Sequence, residues 1–309
     1  MKPSGKVTEQ HGSSAEAARL MRLATHASVT VAGFLILIKL AAWLYTDSIS
    51  LLSTLIDSLL DAVASLINLF AVRHALAPAD REHRFGHGKA ESIAGLGQAA
   101  FITGSAVFLL FEAGDRLIHP SPVENGAIGV GVMGFSIVLT FGLVQFQRYV
   151  VRRTGSVAIS ADSLHYKGDL LMNASVILAL VLSTQLGWHT LDPIFAIAIA
   201  IYILSAAWKI ATNSFDMLMD REFADGERER IRDIALSHAE VREMHDLRTR
   251  SSGTSSFIQF HLELDGAMTL LRAHEIADEV EAKIRTAFPA ADVIIHQDPE
   301  GLEQDTPVF

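Results

Sequence analysis

Two pairs of ionisable side chains recur at helical spacing inside apolar sequence: Asp57 with Asp61, and His165 with Asp169. Residues four apart on a helix share a face, so each pair points one way. Ionised side chains at bilayer depth cost roughly 2.5–3.5 kcal/mol each, and no arginine inside these apolar stretches is available to pair with them. Interhelical hydrogen bonds or titration to neutral forms would accommodate one isolated Asp; two i,i+4 pairs favour a bound cation. Three carboxylates, Asp57, Asp61 and Asp169, with the imidazole of His165 make a nitrogen and oxygen set suited to a divalent metal such as Zn²⁺ or Fe²⁺. Asp162, three residues before His165, is expected at the mouth of such a site. Lys39 needs no transport role, because its long stem can carry the ammonium to an interface or a helical neighbour. The absence of cysteine removes thiolate metal sites, Fe–S clusters, disulfides and cysteine nucleophiles together.

The elements that must hold these residues are membrane spans. Of 309 residues, 50% are hydrophobic and 19% charged, with mean hydropathy +0.31, which is too apolar for an ordinary water-soluble chain. A bilayer core takes about 20 apolar residues per helix. Six stretches supply them, near 26–45, 50–72, 92–114, 127–147, 162–186 and 191–212. The first starts too late and runs too long for a cleaved signal peptide. Residues 1–20 read as a flexible tail, 21–213 as the transmembrane domain and 214–309 as a water-facing domain. In that last part the pattern is a helix near 225–238, strands near 241–250 and 256–264, a helix near 269–287 and a strand near 291–297. The run 257–264 alternates with period two, as a sheet with one buried face would.

Charge orients the spans. Lys2, Lys6, Arg19, Arg22, Arg73, Arg81, Arg84, Lys89, Arg148, Arg152 and Arg153 fall on one side, and the opposite short loops hold only Arg116. The positive-inside rule places both termini in the cytoplasm of a cell whose inner (plasma) membrane the chain crosses. Trp43, Tyr45 and Trp188 at the outer ends and Trp208 near the inner end suit interfacial aromatics. Residues 214–309 hold 10 Lys and Arg against 21 Asp and Glu, a net of -11, and residues 1–213 have a net of +1. That acidity argues against nucleic acid as a partner and for cations.

The runs Asp57-Ser58-Leu59-Leu60-Asp61, Phe85-Gly86-His87-Gly88-Lys89-Ala90-Glu91, His165-Tyr166-Lys167-Gly168-Asp169 and His296-Gln297-Asp298 resemble the cation diffusion facilitators, in particular the bacterial ferrous-iron and zinc efflux branch. The likeness covers residues 20 to 298. It implies a six-helix, all-α transmembrane domain with a cytoplasmic α+β, metallochaperone-like domain of order αββαβ. It also implies a homodimer in the lipid bilayer that exchanges a divalent metal for protons by alternating access. Carried over by motif, Asp57, Asp61, His165 and Asp169 form the transport site, with Leu164 as a hydrophobic gate. Asp80, His83 and His87 form a loop site, and His245, His261, His274, His296 and Asp298, with Gln297 beside them, form a cytoplasmic site. Zn²⁺ would be both cargo and structural ion, and Fe²⁺ or Cd²⁺ further cargo.

The residues by themselves support these sites unequally. His83 and His87 flank Gly86, so a metal site and two solvated histidines both remain open. His261 shares a strand face with Gln259 and Glu263 and is expected to be accessible. His296 and Asp298, two apart on a strand, can reach one metal, but their spacing does not require it. His74, His119, His189 and His238 read as surface or interface residues.

Metal ligation needs deprotonated carboxylates and neutral imidazole, so protons compete for the same lone pairs; histidine, with an ordinary pKa near 6.5, titrates in the working range. An intramembrane metalloenzyme would need an open coordination position and a base, and the chain lacks H-E-x-x-H. A membrane-anchored metal sensor would have no use for ligands at membrane depth. The expected activity is therefore secondary active transport, not catalysis.

Overall fold

A computed structural model of the chain describes residues 14–118, 127–186 and 191–301. Lys2, Lys6, His119, Trp188 and His189 lie outside the described residues. Six long helices come first: α1 (Ser14–Thr46), α2 (Ile49–Ala75), α3 (Lys89–Ile118), α4 (Ala127–Thr154), α5 (Val157–Leu186) and α6 (Leu191–Leu218). Of these, α1 to α4 and α6 are long and apolar enough to cross a bilayer. The 30-residue α5 matches them in length, but its first half carries Asp162, His165, Lys167 and Asp169. Outward-facing Phe34, Phe70, Phe108, Phe111 and Val138 are exposed, as lipid-facing residues must be.

Helix α1 begins at Ser14, inside the stretch expected to be a tail. Ala17, Met21 and Ala24 lie on one helical face and are buried, so apolar packing extends the helix below the span. Met21 and Ala24 cluster with Val72, Ala94, Val150, Ala158 and Ile159, which ties α1 to α5 at this end of the bundle. A second cluster joins α3, α5 and α6 through Ala99, Ala106, Ala161, Ala200 and Ala207, with Ile102, Leu164 and Ile203 between them. Small residues at these positions let the backbones approach.

The link between α4 and α5 fixes where the His165 turn starts. Gly155 has φ +68, in the left-handed region that glycine enters without penalty, and its N–H donates to Val151 O at 2.8 Å, closing α4. The hydroxyl of Ser156 then accepts the N–H of Ile159 at 3.2 Å and caps α5. Glu91 of α3, only 2% exposed, accepts the N–H of Ala158 at 3.3 Å, so a second helix anchors the same turn. Gly95, one turn along α3, is equally constrained. A Cβ there would sit 2.7 Å from Ser214 Oγ and 2.9 Å from Val157 Cγ1. Gly95→Leu should therefore destabilise the bundle by about 3 kcal/mol and reduce the folded fraction on detergent size exclusion, while Gly95→Ala, which asks the Ser214 and Val157 side chains alone to shift, should cost less. Equal thermal stability of Gly95→Leu and wild type would refute this packing.

The chain divides into two compact units, Met1–Phe215 and Asp216–Phe309. The second contains α7 (Asp225–Leu236), β1 (Glu243–Ser252), β2 (Ser255–Leu264), α8 (Leu270–Ala287) and β3 (Ala291–Pro299), the αββαβ order expected. The sheet runs β1-β2-β3, with β1 antiparallel and β3 parallel to β2. The parallel pair requires a crossover, which α8 provides. Ile258, Phe260, Leu262 and Leu264 are buried with Ile231 of α7 and Ile276, Val280 and Ile284 of α8. The alternate residues Gln259, His261 and Glu263 are partly exposed, as the period-two pattern requires. Arg272 of α8 donates to the Glu240 carboxylate and to Glu275 Oε2 at 2.9 Å, and this pairing holds Glu240 below the usual carboxylate range.

Candidate metal centres

The structure brings Asp61, His165 and Asp169 together. His165 Nε2 lies 2.8 Å from Asp61 Oδ1 and 3.8 Å from Asp169 Oδ2. One ligand atom from each of the three falls within 4.8 Å of the others. Ligands at 2.0–2.2 Å in a tetrahedron are separated by about 3.4 Å, so the trio can close on Zn²⁺ with displacements below an ångström. The His165 and Asp61 side chains are 11% and 18% exposed, which keeps solvent from competing for them.

Asp57 does not join this trio, but it lines the same cavity of about 330 Å³, one turn along α2. Lys39 lines it as well. Its ammonium donates to Thr54 O at 3.1 Å and Ser58 Oγ at 2.7 Å, so it does find a helical neighbour, but it holds that contact on the cavity wall. A cation among these carboxylates partly balances their charge, a contribution that sequence spacing did not reveal.

Asp162 is not a mouth residue. It is 1% exposed and accepts hydrogen bonds from Ser28 Oγ at 2.6 Å and Gln147 Nε2 at 2.7 Å, because its face of α5 turns toward α1 and α4 and away from the opening. The amides of Asn68 and Gln98 are buried and face the same carboxylate. Beside it, the Tyr166 hydroxyl donates to Ser28 O at 3.2 Å and lies 2.8 Å from Ser65 Oγ. These partners come from different helices, so no local spacing announces them.

Asp80, His83 and His87 also converge, with one ligand atom each inside 4.8 Å. Asp80 Oδ1 accepts the N–H groups of Glu82 at 2.9 Å and His83 at 2.6 Å, a turn in which the Asp side chain stands in for backbone. Those bonds, the one from His83 first, hold the Asp80 carboxyl below its ordinary range and keep it available as an anion. His83 Nδ1 and His87 Nε2 each lie 3.3 Å from that carboxylate. Gly86, at φ +79, allows its N–H to reach His83 O at 3.0 Å and reverses the chain so that His87 returns. The His74 ring stands 4.7 Å from that of His87, which places His74 at the rim of this group.

In the second unit the strand register builds a row: His245 pairs with His261 across β1 and β2, and His261 with His296 across β2 and β3. Asp298, 6% exposed, joins all three. Its Oδ2 lies 2.7 Å from His261 Nδ1 and 3.5 Å from His245 Nε2, and its Oδ1 lies 3.2 Å from His296 Nε2. One ligand atom each from His245, His261 and Asp298 falls within 4.8 Å of the others. Glu263 Oε1, 3.4 Å from His245 Nδ1, and Asp246 Oδ2, 3.8 Å from His261 Nε2, add carboxylates that motif reasoning missed. Asp246 sits at a β-bulge with φ 47, which turns it back toward the row. His274 stands apart on α8, exposed and 3.6 Å from Asp278, and Gln297 donates to Ile295 O at 3.3 Å.

Residues 25–219 match the family model of the cation efflux transmembrane domain, and residues 224–300 that of the cation efflux protein cytoplasmic domain. The chain is 51% identical over 286 residues to the cation-efflux pump FieF of Shewanella oneidensis, covering 93% of this chain and 96% of that one. It is 49% identical over 281 residues to FieF of Salmonella agona, covering 91% and 93%. The solved metal-bound C-terminal domain of the CzcD transporter from Thermotoga maritima is 27% identical, covering 26% of this chain and all of that one, with a TM-score of 0.25.

Proposed function

The chain belongs to the cation efflux family and is a multi-pass membrane transporter of divalent metal cations, not an enzyme; from that premise we propose that it exports Zn²⁺ or Fe²⁺, with Cd²⁺ as a further substrate, in exchange for protons. The observation that carries the proposal is the placement of His165 Nε2 between the carboxylates of Asp61 and Asp169. Without metal, a proton on that nitrogen would be donated to Asp61 Oδ1, with Asp169 Oδ2 3.8 Å away. A divalent cation that takes the three lone pairs must release it. Metal and proton are thus alternative occupants, and binding one on each side of the membrane couples their flows.

Leu164 supports a gate between two sides. It is 7% exposed and lines both the cavity holding the trio and a second cavity of about 420 Å³ between α4, α5 and α6. Arg73, Arg152 and Arg153, in the last turns of α2 and α4, support cytoplasmic termini and an inner-membrane location. The match to the cytoplasmic domain of cation efflux proteins supports a homodimer, and the net charge of -11 on residues 214–309, which would repel across a two-fold axis, gives bound cations a role in holding the copies together.

Purified protein in vesicles with an internal pH probe tests the reading. An inward-acid gradient should drive Zn²⁺ or Fe²⁺ uptake accompanied by proton efflux, with both flows absent from protein-free vesicles. Metal uptake that neither responds to the gradient nor moves protons would leave an efflux transporter without antiport.

A further inference from the structure

The second cavity, between α4, α5 and α6, is lined by Arg148 and Arg152 of α4, Lys167 of α5 and Lys209 of α6, and among the described residues no carboxylate lines it. None of the four cations forms an ion pair with an acidic side chain among the described residues. Lys167 is instead held by the Tyr202 hydroxyl, its ammonium 4.5 Å from the ring centroid. Basic residues at one end of a helical bundle are ordinary, but they ordinarily reach separately into water. Here they converge on one concavity that also offers the Ser160 and Ser163 hydroxyls.

Four like charges in one cavity repel one another and would repel a divalent cation, so this space suits an anion. Its apolar walls, Val151, Ala206 and Ile210, fit hydrocarbon better than water. Arg152 lies in the last turn of α4, and the neighbouring Trp208 is 72% exposed, as an aromatic at the membrane surface would be. A ligand bearing a phosphate and acyl chains satisfies both halves of the site. We infer that this cavity binds the headgroup of an anionic phospholipid, its phosphate held by Arg148, Arg152, Lys167 and Lys209. The bound headgroup neutralises the positive end of a path that shares Leu164 with the metal cavity, so metal flux rises with the anionic lipid content of the membrane. The inference does not depend on proton coupling.

The test is native mass spectrometry of the full-length protein released from vesicles of phosphatidylcholine and phosphatidylglycerol. Wild type should retain phosphatidylglycerol in preference to phosphatidylcholine. Each removed charge should lower retention about fivefold, so Arg152→Gln with Lys209→Gln should lower it about 25-fold. Arg22→Gln with Arg73→Gln, which removes two positive charges outside the cavity, should leave it unchanged. Lys167→Gln gives a milder variant should the double one misfold, and size exclusion reports folding. Equal retention by the folded cavity variants and wild type, or equal loss in the control, would overturn the inference. Displacement of the lipid by millimolar inorganic phosphate, with the same phosphate stabilising lipid-free protein, would reassign the site to free phosphate.

Discussion

Vesicles containing Asp61→Ala, or separately Asp169→Ala, should show metal flux at least about 100-fold below wild type, at unchanged levels of inserted protein. Each substitution removes one of the two carboxylates that face His165 Nε2. The loss is therefore double: a charged ligand disappears, and the imidazole loses a partner that positions its ring. Neither residue belongs to the apolar clusters that hold the helices together, so the bundle has no packing reason to fail. Asp61→Asn refines the test, because the amide still hydrogen-bonds His165 but offers a poor neutral ligand; it should insert like wild type and transport like Asp61→Ala. Asp57→Ala reports a different quantity. Asp57 lines the cavity without joining the trio, so a loss as deep as that of Asp61→Ala would place it among the ligands of the metal-loaded state. Near-normal flux in both Asp61→Ala and Asp169→Ala would remove the trio from the transport path.

The parts of the structure written locally were legible, and the parts written between elements were not. Apolar runs of span length located all six helices, and alternation over 257–264 assigned the inward and outward faces of β2, because both signals arise from residues a few positions apart. The i,i+4 spacing placed His165 and Asp169 on one face of α5. The same spacing could not say that of Asp57 and Asp61 only the second would stand opposite His165, since that depends on how α2 and α5 are set against each other. Asp162 illustrates the same limit: position along α5 suggested an opening, whereas Ser28 and Gln147 from two other helices enclose it. Lys39 was read by its reach alone, and its place on the cavity wall follows from where α2 presents Thr54 O and Ser58. In the second unit, the motif His296-Gln297-Asp298 was visible, yet the row of three histidines is a consequence of strand register. Glu263 was visible only as a neighbour of His261 on the same strand face, and its approach to His245 required the antiparallel pairing.

That row also yields the second large effect. Asp298→Ala should remove metal from the second unit of the full-length protein while leaving the loop and membrane groups loaded. Asp298 is nearly buried, and its two oxygens contact His245, His261 and His296 at once, which no other side chain does among the described residues. Without it the row keeps its imidazoles and the flanking Glu263 and Asp246 carboxylates but loses the carboxylate that contacts all three histidines, and affinity for Zn²⁺ should fall by at least about 100-fold. The unit itself should remain folded, because its core of Ile258, Phe260, Leu262, Ile276, Val280 and Ile284 lies on the other face of β2. Asp298→Asn separates ligation from packing: it preserves the side chain's shape and its capacity to hydrogen-bond, so any loss it shares with Asp298→Ala belongs to the metal. If cations offset the acidity of two facing copies, both variants should also dimerise more weakly in the presence of Zn²⁺, whereas wild type and variants should behave alike under chelator. Metal content per protomer after gel filtration, measured together with sedimentation in Zn²⁺ and in chelator, gives both answers. Unchanged metal content in Asp298→Ala would show that the histidine row is a hydrogen-bonded feature of the sheet and that the metals reside elsewhere.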